Sequence, residues 1–316
     1  MSIQVDVFED FHVHGASAPE WKQSYVQLSA GTMHSTLTEA TTGGVHVFRT
    51  WMSEQVVQQG CLPAGRICFA VLNGATARPA RVQHHELHEN SLVVLRSGED
   101  FTIQRPGGME LLAVTLPIED FLRLVDEAAW PRPALHLLDR QVLQVPFDAL
   151  RQLRTLLEGM LARPALRKGP PPREEATLPD ALMASLRALL CEASRAKQTA
   201  ASASSGFIVA ECHRIVAQSE DVPPDIETLC RRLRTSRRRL QDSFREVADT
   251  TPVHYLRGLR LNLVQRRLLT TSSAQLSVSQ AATDQGFAHL SHFSARYKAL
   301  FGELPSKTAR VTRPSG

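Results

Sequence analysis

The sequence predicts an α+β protein of two domains: an N-terminal β-barrel or jelly-roll followed by helices, then an all-α unit with two helix-turn-helix motifs. Three observations carry that prediction. Between Tyr25 and Pro117 apolar residues recur with period two, in short runs broken by Gly, Pro and Asn. After Pro117 the spacing changes to three and four residues, the stripe of a helix with one buried face. Charge is also unevenly placed. Residues 201–316 hold 17 Lys and Arg against 10 Asp and Glu, while residues 1–200 hold 19 against 22. A basic C-terminal part on a slightly acidic body suits nucleic-acid binding by the C-terminal part alone.

The chain of 316 residues has room for about two cores. Residues 1–20 are polar and read as irregular, apart from a short strand at 3–8. The strand-like runs LTEA, VHVFRTWM, ICFAVLNG, SLVVLRSG, FTIQRP and MELLAVTL follow, and their spacing suggests a barrel or sandwich over residues 1–117. Residues 118–197 read as helical. Phe121, Leu122 and Val125 form one stripe, Phe147, Leu150, Leu153 and Leu157 a second, and Leu182, Leu186, Leu189 and Leu190 a third. Self-association and packing against the barrel are both open for these helices. The Pro-rich, charged stretch ARPALRKGPPPREEATLP between them reads as an exposed loop. Small polar residues at 198–206 read as a linker, and residues 207–312 as the C-terminal unit, opening on the supporting helix FIVAECHRIVAQ.

Within that unit, Ile226, Leu229 and Leu233 mark one helix and Leu240, Phe244 and Val247 a second. Ser236 stands as its N-cap after the turn at Arg234-Thr235. Ser277 and Gln280 have capping-box spacing for a further helix. Gly286 ends it, and Phe293, Tyr297 and Phe301 stripe the next. The two turns lie 52 residues apart (Arg234 and Gly286). Pro252 suits the first turn of a long helix joining the two motifs.

This region resembles the DNA-binding domain of AraC/XylS-type bacterial transcription regulators. The residues that carry the likeness are Leu229, Ser236, Leu240, Phe244, Pro252, Tyr255-Leu256, Arg260-Leu261, Ala282, Gly286-Phe287, Ser291, Phe293, Lys298, Phe301-Gly302 and Pro305. Arg234 departs from the Gly usual there, and Ala295 stands where an Arg is common. The resemblance implies an N-terminal cupin-like barrel serving as sensor or dimerisation module. YVQLSAG, LTEATTGGVHVFRT and LPAGRICFAVLNG also look like the sensor half of some members. It further implies a small-molecule effector, a homodimer on paired promoter sites, contact with RNA polymerase, and activation more often than repression.

A helix fits the major groove, and each second helix of such a motif offers its N-terminal residues to base edges. The helices expected at 236–247 and 290–301 would enter successive major grooves. With Leu240 and Phe244 turned inward, Arg238, Gln241 and Asp242 point toward the groove, and family base contacts fall on the same positions. Arg can pair with guanine, Gln with adenine, and Asp can accept from cytosine. On the second helix His289, Leu290, Ser291 and His292 occupy the start. Arg237, Arg239, Arg245, Arg296 and Lys298 are placed for phosphates, solvated surface being their alternative.

His46 and Arg49, in VHVFRTW, are candidates for orienting an effector. HHELHE, with His84, His85, Glu86, His88 and Glu89, lacks the metal-binding cupin spacing and the HExxH pattern, so it reads as a solvated hairpin. Five scattered cysteines form no CxxC pair, and Cys61 and Cys68 read as inert thiols rather than a redox switch. No nucleophile elbow, P-loop or dinucleotide fingerprint is present, and no cofactor is expected. The start of the chain has no basic or apolar leader, and no apolar run approaches a membrane span. The expectation is therefore a cytoplasmic, non-enzymatic regulator with no membrane partner. Two alternatives stand beside it: a cupin-type metalloenzyme fused to a DNA-binding domain, and a regulator whose barrel serves only oligomerisation.

Overall fold

Period-two patterning places the inward residues of two antiparallel sheets face to face in the N-terminal half. The structure, a computed structural model, describes residues 2–74, 78–83, 85–127, 136–162, 178–194, 204–219 and 223–310. Strands β1 (Ser2–Phe8), β3 (Ser35–Thr42), β4 (Val45–Met52), β6 (Arg66–Asn73), β9 (Ser91–Arg96), β11 (Glu110–Pro117) and β12 (Val142–Gln144) make a seven-stranded sheet in the order β1-β3-β4-β11-β6-β9-β12. Strands β2 (Ser24–Gln27), β5 (Val56–Cys61), β7 (Arg81–Val82), β8 (His85–Glu86) and β10 (Asp100–Arg105) make a five-stranded sheet, β2-β5-β10-β7-β8. The sheets do not close into one barrel. Between them lies a core with Trp21, Phe48, Ala70, Phe101, Ile103 and Leu111.

Helices α2 (Ile118–Glu127), α3 (Phe147–Leu161) and α4 (Leu178–Ala193) belong to this N-terminal half. Leu150, Leu153 and Leu157 of α3, with Leu182, Leu186, Leu189 and Leu190 of α4, join Val47, Phe69, Val71 and Val114 in one buried cluster. Those stripes cover the outer face of the seven-stranded sheet, the packing alternative of the two. β12 lies in the same stretch and pairs with β9. Leu122 is exposed while Phe121 is buried, so the first stripe is narrower than its spacing suggests. The loop read at ARPALRKGPPPREEATLP lies almost entirely outside the described residues.

Three expectations need correction. The first residues are not irregular beyond β1. Asp10 caps a short helix, α1 (Phe11–Ala16), by accepting from the backbone N–H of His12 at 2.6 Å and Val13 at 3.1 Å. One turn and a half is too short for a periodic signal, and tertiary burial of Phe11 and His14 sustains it. β5 was not expected as a strand because Gln58 and Gln59 interrupt its apolar run. Both are buried, Gln58 Nε2 donating to Gln23 Oε1 at 2.9 Å. Finally, the linker expected at 198–206 does not run to its end. Ser204 already begins α5 (Ser204–Ala217), and residues 195–203 lie outside the described residues.

The C-terminal helices are α5, α6 (Ile226–Arg232), α7 (Arg237–Ala248), α8 (Pro252–Thr270), α9 (Val278–Asp284) and α10 (Leu290–Phe301). They pack onto the outer face and edge of the five-stranded sheet. Val26, Leu28 and Val57 share a cluster with Val209, Leu240, Phe244 and Tyr255. Phe11, Met33 and Met52 share another with Leu261, Val264, Phe293 and Tyr297.

Candidate nucleic-acid interface

Local hydrogen bonding builds the two motifs as their caps foretell. Asp225 accepts from the Thr228 N–H at 2.8 Å and Ser236 from that of Arg239 at 3.1 Å, opening α6 and α7. Thr251 accepts from the His254 N–H at 3.2 Å, with Pro252 in the first turn of α8, and Ser277 accepts from the Gln280 N–H at 3.0 Å to open α9. Both interhelical turns are left-handed, with φ 49° at Arg234 and 78° at Gly286. The Arg therefore adopts the conformation that glycine takes more cheaply, at a cost of about 1–2 kcal/mol.

Long-range bonds hold the motifs to the helix between them. Arg260 Nη2 donates to the carbonyls of Pro223 at 3.2 Å and Pro224 at 2.9 Å, pinning the approach to α6. Arg267 pairs with Asp284 at 2.8 Å, tying α8 to α9. Behind α10, Tyr297 Oη lies 2.7 Å from Thr308 Oγ1. Arg260 and Arg267 thus fix the first helix of each motif to α8.

The expected reading residues face solvent. On α7, Leu240, Phe244 and Val247 are buried, while Arg237, Arg238, Gln241 and Arg245 are exposed on the other side. Arg238 is 94% exposed and its Nε lies 4.0 Å from Asp242 Oδ2, an i, i+4 pair that DNA could readily replace. Arg239 is half-buried. On α10, His289, Leu290, Ser291, His292, Arg296 and Lys298 are all exposed over buried Phe293, Tyr297 and Phe301. The structure also exposes Arg231 and Arg232 at the end of α6, outside the expected set. The density of Arg between 231 and 239 was their only signal.

The sheets enclose a second candidate site, an apolar cavity of about 40 Å³. His14, Trp21, Tyr25, Phe48, Thr50 and Phe101 are among its walls. Of the two effector candidates the structure brings only His46 to it, held by Glu39 Oε2 at 2.9 Å. Arg49 falls on the opposite face of β4, with Val47, under the helices. Burial sets the chemistry of the cavity wall: the His14 pKa falls to about 4 and the Cys68 thiol rises to about 12, which leaves Cys68 unreactive. Among the described residues, no group of three or more His, Cys, Asp or Glu could hold a metal ion, and His84 lies outside them. Nor, among them, is any helix long and apolar enough to cross a membrane.

Residues 229–310 match a protein family described as "Helix-turn-helix domain". Over 85 residues the chain is 38% identical to the XylDLEGF operon transcriptional activator of Pseudomonas putida, spanning 27% of this chain and 26% of that one. This C-terminal unit is a helix-turn-helix domain. The helix-turn-helix domain is also 32% identical over 89 residues to the probable thc operon regulatory protein of Rhodococcus erythropolis, 28% of this chain and 27% of that one. The chain thus spans about a quarter of the length of these relatives. The crystal structure of the AraC-like transcriptional activator CuxR is 15% identical, covering 82% of this chain and 94% of that one at a TM-score of 0.46.

Proposed function

We propose that this chain is a sequence-specific DNA-binding transcription regulator whose N-terminal half senses a small molecule. The observation that carries the reading is the two-sided character of α7. Its inner face locks into the core through Leu240, Phe244 and Val247, and its outer face offers Arg238, Gln241 and Asp242 to solvent at the start of the helix. That is the geometry by which a second helix meets base edges. α10 repeats it with Ser291 and His292, which hydrogen-bond bases or phosphates, and with Leu290 for a thymine methyl. Joined by α8, the two helices enter successive major grooves about 34 Å apart on one face of the duplex. Arg237, Arg239, Arg245, Arg296 and Lys298 hold the phosphates.

Promoter DNA is the partner this surface fits, with the chain acting as a homodimer on paired sites and contacting RNA polymerase to activate transcription. The protein is cytoplasmic and carries out no reaction of its own. The division of labour runs between the sheets with α2–α4 as sensor and α5–α10 as DNA reader. Titration of Gln241→Ala against a panel of single-base operator mutants tests the reading. The variant is expected to lose about 1–3 kcal/mol at one base pair and relax preference there. Uniform weakening with every base preference intact would reverse the assigned orientation of α7.

A further inference from the structure

β1 ends the seven-stranded sheet, and one side of it is open. The other side pairs with β3 over the whole strand, from Ser2 opposite Thr41 to Phe8 opposite Ser35. Beyond that ladder its residues make no backbone–backbone hydrogen bond among the described residues. The remaining sheet edges are short or covered. β12 has three residues and β8 two, while Asn262 bonds the backbone of β2. Native edges are blunted by Lys, Pro or a bulge, and SIQVDVF has none of them.

The side chains match that open edge. Ile3, Val5 and Val7 alternate onto one face of the sheet. Ile3 packs against the cluster built by α3 and α4, whereas Val5 and Val7 lie past the helices, 63% and 69% exposed. Among the described residues no other element exposes two large hydrophobic side chains. β-Branched side chains on an unpaired edge make it a template for another strand.

That strand is complementary to itself. Laid antiparallel on a second β1 about a two-fold axis at Val5, it sets Val5 against the partner's Val5 and Ile3 against the partner's Val7. Gln4 then meets the partner's Asp6. Gln4 Nε2 donates to Asp6 Oδ2 of its own strand at 2.8 Å, and the same bond can form across the axis. Asp6 is the only charged side chain in β1. An in-register parallel pairing, or an axis at Asp6, would set that carboxylate against its own copy, which is unfavourable. Charge therefore selects the antiparallel register centred on Val5, which also pairs every residue of both strands.

We propose that β1 is the dimerisation edge, through which two copies of this chain join their seven-stranded sheets into one continuous sheet. The proposal rests on the homodimer of the reading above and deepens it by naming the surface. The apolar stripes of α3 and α4 are already buried against the sheet and leave the pairing to β1.

The test uses the full chain. Sedimentation equilibrium gives the dimer dissociation constant, and Val5→Asp, which sets two carboxylates at the axis, is expected to raise it about tenfold. Mixing Val5→Asp with Val5→Lys is expected to restore pairing. Oxidative cross-linking, compared with the unmodified chain, reads the register. Val5→Cys faces its counterpart across the axis and is expected to give a disulfide-linked dimer. Val7→Cys is more exposed but about 14 Å from its counterpart, and is expected to stay unlinked. A monomeric unmodified chain, a dissociation constant unmoved by Val5→Asp, a mixture that fails to pair, or cross-linking no better at Val5→Cys than at Val7→Cys would each overturn the proposal. Operator binding is measured alongside. Operator binding by a chain that fails these tests removes this interface and leaves the regulator reading intact. Pairing through β1 without operator binding does the reverse.

Discussion

Asn262, in the middle of α8, pairs with the backbone of Gln27 as a neighbouring strand would. Its Oδ1 accepts from the Gln27 N–H at 3.2 Å, and its Nδ2 donates to the Gln27 carbonyl at 3.3 Å and to Gly258 O at 2.7 Å. β2 is an edge strand of the five-stranded sheet, so the side-chain amide satisfies backbone groups that an edge leaves open. Gly258, one turn away, faces the same strand: a Cβ there would lie 3.3 Å from Leu28 Cδ2 and 3.4 Å from Gln27 O. The Gln27 side chain continues the link, donating to Leu300 O at 2.8 Å near the end of α10. The end of α10 is thus tied to the N-terminal half through one residue of β2.

Asn262→Ala leaves both backbone groups of Gln27 without these partners. Unfolding in urea is expected to show a loss of about 1–3 kcal/mol. An unchanged midpoint would mean that α8 and β2 part readily in solution.

Arg245 stands beyond Gln241 along α7 and is exposed. Arg245→Ala is expected to weaken binding to every operator variant alike and to lower the slope of log K against log salt by about one unit. A base-specific loss would place its side chain in the groove instead.

The left-handed turn at Arg234 offers a gain. Arg234→Gly removes a strain of about 1–2 kcal/mol, partly offset by the greater freedom of glycine in the unfolded chain. Thermal unfolding is expected to show a net stabilisation of roughly 0.5–1 kcal/mol. A destabilised variant would show that Arg234 makes an interaction worth more than its strain.

Acid should loosen the joint between the two halves. His14 and His213 both have pKa values near 4 from burial, against 6.5 when unfolded. His213 lies 3.0 Å from Tyr255 Oη and 3.3 Å from Ser24 Oγ, bridging α5, α8 and β2. As pH falls below 6.5 the unfolded chain takes up protons that the folded one refuses. Stability is therefore full above 6.5 and declines toward 4, by up to about 3 kcal/mol per histidine. Denaturant midpoints measured from pH 7.5 to 4.5 check this, and a flat profile would put both rings in contact with water.

What the sequence by itself determined is the part whose physics is local. Ser236, Pro252, Ser277 and Gly286 act within three or four residues of their own positions, so caps, turns and the two helix-turn-helix motifs follow from spacing. Period two likewise determined most strands. Tertiary structure decided what depends on partners far along the chain. α1 exists because Phe11 and His14 find a core, β5 because its glutamines find Gln23 and Thr102, and the clamp at Asn262 because α8 happens to pass Gln27. Each of these depends on a residue far along the chain, and local spacing carries no record of such a neighbour.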